Sequence, residues 1–276
     1  MNKKEFKIGK LTAITNARIF NGEKVIDEQV VIFDEENIID IGGEVPTGAT
    51  IVDAHGATLM PGLIDSHVHT SIDGLRHALK FGVTTELEMM GGFTKNARDL
   101  ELKGIDDIAD VRSAGMGVTA PGGHPDELMG GGDGIPDFVL KEMEKMTEEE
   151  KAAFIVAHAQ QENDEESPSF TTIEGTIKHV DEQVLHGADY IKILIEEGTV
   201  MNCPGLPVLS NDIYKAAVDE AHKLDKIVLA HVLTAESSKK AINLGIDGLA
   251  HIFIDRPSWT HELIKAIADS GAFVTP

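Results

Sequence analysis

Gly187-Ala-Asp-Tyr-Ile-Lys-Ile-Leu-Ile195 is the stretch on which the fold turns. A helical pattern ends at Gly187, and an apolar, β-branched run begins at once. Glycine takes the left-handed C-terminal cap without a Cβ clash, and the run after it reads as a buried strand. The junction recurs: Gly82 precedes Val83-Thr-Thr85, Gly115 precedes Met116-Gly-Val118, Gly245 precedes Ile246, and Gly271 precedes Ala272-Phe-Val-Thr275. The intervening helices are amphipathic. Ile213, Ala217, Ala221 and Leu224 form one stripe behind a candidate N-cap at Ser210, and Leu263, Ile264, Ile267 and Ala268 form another. Short strands alternating with helices imply parallel βαβ units. Seven strands are expected, near residues 63–69, 83–90, 116–121, 189–195, 227–232, 248–254 and 272–275. The segment 140–170 breaks the pattern and reads as an acidic helical or irregular excursion.

Residues 1–61 read differently and are expected to form part of a small antiparallel sheet or sandwich, separate from a barrel over 62–276. Ala13–Phe20, Val25-Ile26, Gln29–Phe33, Ile38–Ile41 and Thr50–Asp53 are short β segments between polar turns, with Asn21-Gly22 a hairpin signal.

Composition narrows the function classes. Lys and Arg number 24 against 47 Asp and Glu, a formal net charge of −23. That balance argues against a nucleic-acid backbone or an anionic membrane as partner. No apolar run approaches a membrane span of roughly 18 residues, and no apolar stretch follows the charged N-terminus as in a secretory signal. The single Cys203 excludes an intrachain disulfide and fits a reducing compartment. A cytoplasmic enzyme acting on a small molecule, as a homo-oligomer, is expected.

In a parallel β/α barrel, functional residues gather at the C-terminal ends of the strands. Here those ends carry His67 and His69 in Asp65-Ser-His-Val-His69, then Lys192, His231 and His251. Two histidines one residue apart on a strand share a face, and converging neutral imidazoles suit a divalent transition metal. Lys192 lies among β-branched residues that should be buried. Desolvation lowers an ammonium pKa, and a neutral amine reacts with CO2 to give a carbamate, an anion able to bridge two ions. The competing reading is a lysine that snorkels to the strand end as a structural cation. On the carbamate reading, Ile191 and Ile193 should pack outward while Lys192 faces inward. His124 follows two glycines, so it is either a ligand-contacting or a plain turn histidine. His77, His179, His186 and His222 read as solvated surface.

The chain resembles the amidohydrolase superfamily, and within it the prolidase-like (Xaa-Pro dipeptidase-like) carboxylated-lysine group. The resemblance spans roughly residues 11 to 276. It rests on Pro61-Gly-Leu-Ile-Asp-Ser-His-Val-His69, Gly82-Val-Thr-Thr85, Gly122-Gly-His124, Gly187–Lys192, Ala230-His231, Ala250-His251 and Phe273-Val-Thr-Pro276. It implies a TIM-like (β/α)8 barrel with a small β-sandwich, and a metal-dependent hydrolase that cleaves an amide-type C–N bond with metal-activated water. By resemblance, His67 and His69 would hold one metal ion and His231 and His251 a second. Lys192 would bridge them as a carbamate, and His124 would contact substrate. Zinc is the first choice, with cobalt or manganese as alternatives. Lactone, carbamate or organophosphate hydrolysis on the same site is the alternative chemistry, and a non-catalytic barrel scaffold the alternative class.

Three departures qualify the resemblance. Leu87-Glu88 stands where relatives place an arginine-aspartate pair, and Glu196-Glu-Gly198 where they place a small residue and two glycines. Both loops are expected to border the substrate pocket. The eighth strand, with its acid/base aspartate, is expected beyond Pro276, so the 276 residues should lack turnover by themselves and leave apolar surface bare along the first and seventh strands.

Overall fold

The computed structural model describes residues 10–128 and 171–275. The excursion expected at 140–170, with His158, lies outside the described residues. The chain divides into two compact units, Met1–Leu63 and Ile64–Pro276.

The first unit holds strands β1 (Thr12–Thr15), β2 (Arg18–Ile19), β3 (Val31–Phe33), β4 (Ile38–Ile41), β5 (Thr50–Asp53) and β6 (Thr58–Leu59). Its four-stranded sheet runs β4-β3-β1-β5, with β2 and β6 paired separately. The expectation of an antiparallel sheet needs correcting. β1 pairs β3 antiparallel but β5 parallel, and β2 pairs β6 parallel. The expected strand over 13–20 is also broken, because Asn16 enters the left-handed region at φ 53°. Its amide donates to Asp53 Oδ1 at 3.0 Å. The Asn21 turn forms as read: Asn21 Oδ1 accepts from the backbone N–H of Glu23 and Lys24, each at 3.0 Å, and Phe20 bridges Val25. Ala17, Ile19 and Val31 form this unit's small core.

The second unit alternates strands with helices. Its strands are β7 (Leu63–Val68), β8 (Val83–Glu88), β9 (Asp110–Ser113), β10 (Ile191–Leu194), β11 (Val228–His231), β12 (Gly248–Ala250) and β13 (Phe273–Thr275). They form one sheet β7-β8-β9 and one β10-β11-β12-β13. A parallel bridge between Val118 and Ile193 links the two, with Val118 N–H donating to Lys192 O at 2.8 Å. The described residues therefore carry the α/β arrangement expected of an incomplete barrel. Its helices are α1 (Ile72–Lys80), a short α2 (Lys95–Ala97), α3 (Ile173–Leu185), α4 (Asn211–Lys223), α5 (Ala235–Leu244) and α6 (Thr260–Ser270). Gly245 and Gly271 cap α5 and α6 in the left-handed conformation, as their positions imply. Ser210 occupies the N-cap of α4 without a side-chain cap bond.

The core between sheet and helices follows the period-two rule. Ile191, Ile193 and Ile195 face outward and pack with Tyr214, Ala217, Val218 and Ala221 of α4. Tyr214 is fully buried, and its hydroxyl donates to Leu194 O at 2.6 Å. Residues of opposite parity form a second cluster, where Leu87 packs against Met89, Ala114, Tyr190 and Leu229. Apolar side chains on the two outermost strands are bare: Leu63 and Ile64 are 50% and 63% exposed, and Phe273 and Val274 42% and 41%. No helix among the described residues is long and apolar enough to cross a membrane.

The third barrel strand departs from the expected 116–121. Regular pairing covers Asp110–Ser113, and only Val118 bridges further along. Gly115, at φ 64°, therefore follows a strand rather than a helix. Side chains of α3 explain the break. Gln183 Oε1 accepts from Met116 N–H at 2.8 Å, and His179 Nε2 donates to Met116 O at 2.9 Å. Both backbone groups of Met116 are thus taken by a helix instead of a ladder.

The reading of His179 as surface is corrected by the same contact. Its ring is buried, and desolvation pulls its pKa below the usual histidine value of 6.5. An unfolded chain binds that proton more readily, so the contribution to stability is present above about pH 6.5 and is lost as pH falls below it. His179→Gln, which keeps a donor for Met116, is expected to flatten the fall in stability between about pH 7 and pH 5, read from urea unfolding at each pH. An unchanged slope would show that other groups carry the acid sensitivity. His77 and His186 are exposed as read, and His222 meets Asp247 Oδ2 at 2.8 Å.

Candidate metal centre

Strand geometry brings the singled-out histidines together. His67 lies near the end of β7 and His69 just past it, on the same face. His231 is the last residue of β11, and His251 follows β12 directly. His251 sits at φ 73°, a left-handed conformation that costs a side-chain-bearing residue on the order of 1 kcal/mol. Its N–H donates to Thr275 O at 2.7 Å, which holds the kink in place. Such strain at the mouth of a barrel points to a positional demand on the imidazole.

The rings form a continuous chain. His69 lies 5.8 Å from His67 between ring centroids, and His67 lies 4.4 Å from His251. His251 lies 4.9 Å from His231, and His231 lies 4.3 Å from His124. His124 thus joins the cluster rather than standing apart as a turn residue. His69 Nδ1 is 3.0 Å from Met90 O, which only accepts, so that nitrogen is the donor and Nε2 keeps its lone pair.

Lys192 is only 3% exposed on β10, on the face opposite Ile191 and Ile193. Desolvation lowers its pKa to about 7, so much of the amine is neutral near pH 7. The lysine lies close enough to act on the rings. Burial lowers the His67 pKa to about 3 and depresses those of His231 and His251, with the Lys192 charge contributing to all three. The imidazoles are therefore held neutral, the state in which they bind metal.

Several buried atoms here lack a hydrogen-bond partner: His67 Nδ1, His231 Nε2 and Glu196 Oε2. Buried polar atoms are normally satisfied. Three such atoms around one cluster could receive a cation, and a nitrogen and oxygen donor set would suit zinc, cobalt or manganese. Among the described residues, no three His, Cys, Asp or Glu side chains already stand close enough together to hold an ion, so the side chains would have to draw in around one.

Glu196 was noted in the sequence only as a departure from the usual loop. Its parity with Lys192 and Leu194 is the signal for its inward placement. Glu88, the other departure, takes a structural part instead of bordering the cluster. Its Oε2 accepts from Phe93 N–H at 3.0 Å and from Ser113 Oγ–H at 2.6 Å.

No protein-family model matches the chain. A dihydroorotase from Geobacter sulfurreducens is 35% identical over 103 residues, 36% of this chain and 24% of that enzyme. Two solved structures share the fold along almost the whole chain. An amidohydrolase aligns with a TM-score of 0.71 and 21% identity, covering 96% of this chain and 65% of its own. The chain has the fold of these solved amidohydrolases. A prolidase solved with N-methylphosphonate-L-proline likewise aligns with a TM-score of 0.71 and 22% identity over 96% of this chain and 65% of its own. The chain thus spans less than two thirds of the length of the relatives it matches. The shared fold accounts for the position of the histidine cluster, at strand ends on one rim of the barrel.

Proposed function

We propose that this chain forms the metal-binding barrel of a hydrolase that cleaves an amide-type C–N bond of a small molecule, in the manner of the prolidase-like, carboxylated-lysine group. The observation that carries the reading is the convergence of the His67, His124, His231 and His251 rings near the buried Lys192, with unpartnered buried nitrogens on His67 and His231. A scaffold without chemistry has no use for such atoms, since leaving them unsatisfied costs roughly 1–3 kcal/mol each.

His67, His69, His231 and His251 would hold two divalent ions, zinc first, with Lys192 bridging as its carbamate. When bound, such ions supply hydroxide at neutral pH and polarise a carbonyl. The chain's own residues do the rest. The Met90 carbonyl fixes the His69 tautomer and presents its Nε2. Lys192, neutral in part, is able to take up CO2. His124, which lies against His231, would contact the substrate. The closely packed strands beneath keep water from the buried side of the cluster. A cytoplasmic location and a homo-oligomer complete the reading.

The test uses the full-length protein. Metal analysis after dialysis is expected to give about two divalent ions per chain, as in a two-metal hydrolase site. Turnover is expected on Xaa-Pro dipeptides, N-acyl amino acids or cyclic amides, and should be lost with a chelator and regained with zinc. Preference for lactones, carbamates or organophosphates would move the chemistry to a different bond on the same site. A protein that binds no metal, or that works fully after chelation, would overturn the proposal.

A further inference from the structure

Glu196 lies four residues beyond Lys192, in the loop after β10. It is 2% exposed, one of the most deeply buried carboxylates among the described residues. Its two oxygens differ. Oε1 accepts from the Gly198 N–H at 2.6 Å, so the side chain is anchored. Oε2 has no partner and lies 3.7 Å from His231 Nε2, which is also buried and also without one.

That separation is too long for a hydrogen bond. Two desolvated polar atoms left side by side without partners are costly. A shared cation satisfies both. With metal–nitrogen bonds of about 2.0–2.1 Å and metal–oxygen bonds of about 2.0–2.2 Å, two ligands on one tetrahedral ion stand about 3.4 Å apart. The observed spacing is within a few tenths of an ångström of that value.

We infer that Glu196 is a direct ligand of the ion held by His231, so that this centre binds metal through a carboxylate in addition to its histidines and Lys192. The inference rests on the metal-site reading above. It adds a negative ligand at the position nearest His231 and His124, where it takes up a coordination place and reduces the net positive charge that a substrate meets.

The experiment titrates chelator-stripped full-length protein with zinc and with cobalt, by calorimetry and by the visible cobalt spectrum. It compares wild type, E196Q and E196D. Glutamine keeps an acceptor for Gly198 N–H, so the loop anchor survives. One of the binding steps is expected to weaken by about 100-fold in E196Q, since even outer-shell partners are worth 10–100-fold. The cobalt bands should shift in intensity, and E196D should recover most of the affinity. Wild-type affinity and an unchanged cobalt spectrum in E196Q would overturn this inference while leaving the proposed function standing. A wild-type protein that takes up no ion would overturn both. Should E196Q fold poorly, anomalous diffraction from zinc-loaded wild-type crystals decides. A peak within about 2.2 Å of a Glu196 carboxylate oxygen is expected, and a peak on His231 with Glu196 out of reach overturns the inference.

Discussion

Lys192→Ala is expected to lose one of two metal ions while the metal-free protein stays folded. The two halves of that outcome have different causes. In the proposed centre Lys192, as its carbamate, would be a ligand shared by both ions, so its removal would leave each with histidines, plus Glu196 on one side. Metal content after dialysis should fall from about two ions per chain to about one or fewer, as for loss of a bridging ligand in a two-metal site. Added bicarbonate should not restore it. The fold, in contrast, gains from the change, because a lysine 3% exposed carries the penalty of a desolvated ammonium. Lys192→Met, which keeps most of the stem volume, separates the effects. Its metal-free form is expected to melt no lower than metal-free wild type, with the same metal deficit as the alanine variant. Two tightly held ions in Lys192→Ala would sink the bridging role. A large drop in melting temperature for Lys192→Met would show a structural cation instead.

Gly198→Ala is expected to be the most damaging small change in the loop after β10. Gly198 sits at φ +76°, where a Cβ is strained, and an added Cβ would stand 1.9 Å from the Cys203 carbonyl oxygen. Backbone rather than a flexible side chain blocks the space, so the whole 198–203 turn must shift. The cost should be about 2–4 kcal/mol, from left-handed strain plus the clash. For a domain of this size that lowers the melting temperature by roughly 5–15 °C, read by calorimetry. The Gly198 N–H also anchors the Glu196 carboxylate, so affinity for the ion on His231 should fall with it. A variant with wild-type melting temperature and wild-type metal affinity would show that the loop rearranges freely and that Glu196 needs no anchor.

Much of this molecule was legible in residue order because its signals are local. Glycines after amphipathic runs marked helix ends at Gly187, Gly245 and Gly271, and the apolar runs behind them became β10, β12 and β13. Period-two alternation was enough to send Ile191 and Ile193 to the helices and Lys192 to the other face. The strand-end rule then gathered His67, His231 and His251 without any knowledge of distances.

What stayed hidden depends on partners distant in sequence. β1 pairs parallel with β5, which no local pattern announces, because a chain segment reveals its faces but not its neighbour. The third barrel strand breaks at Met116 since Gln183 and His179, more than sixty residues later, take its backbone groups. His179 looks like surface in a polar helix, and only the packing of α3 buries it. Glu88 and Glu196 are indistinguishable as residues, both acids at or just past the end of a β-rich run. Tertiary structure separates them: Ser113 and Phe93 satisfy one, while the other is left with an unpartnered oxygen facing His231. Residue order by itself determined which side chains reach the barrel's mouth, since that follows from strand period and strand ends. Only the folded chain decided which of them find a partner there and which are left with lone pairs for an ion, because desolvation and hydrogen-bond satisfaction are properties of the packed neighbourhood.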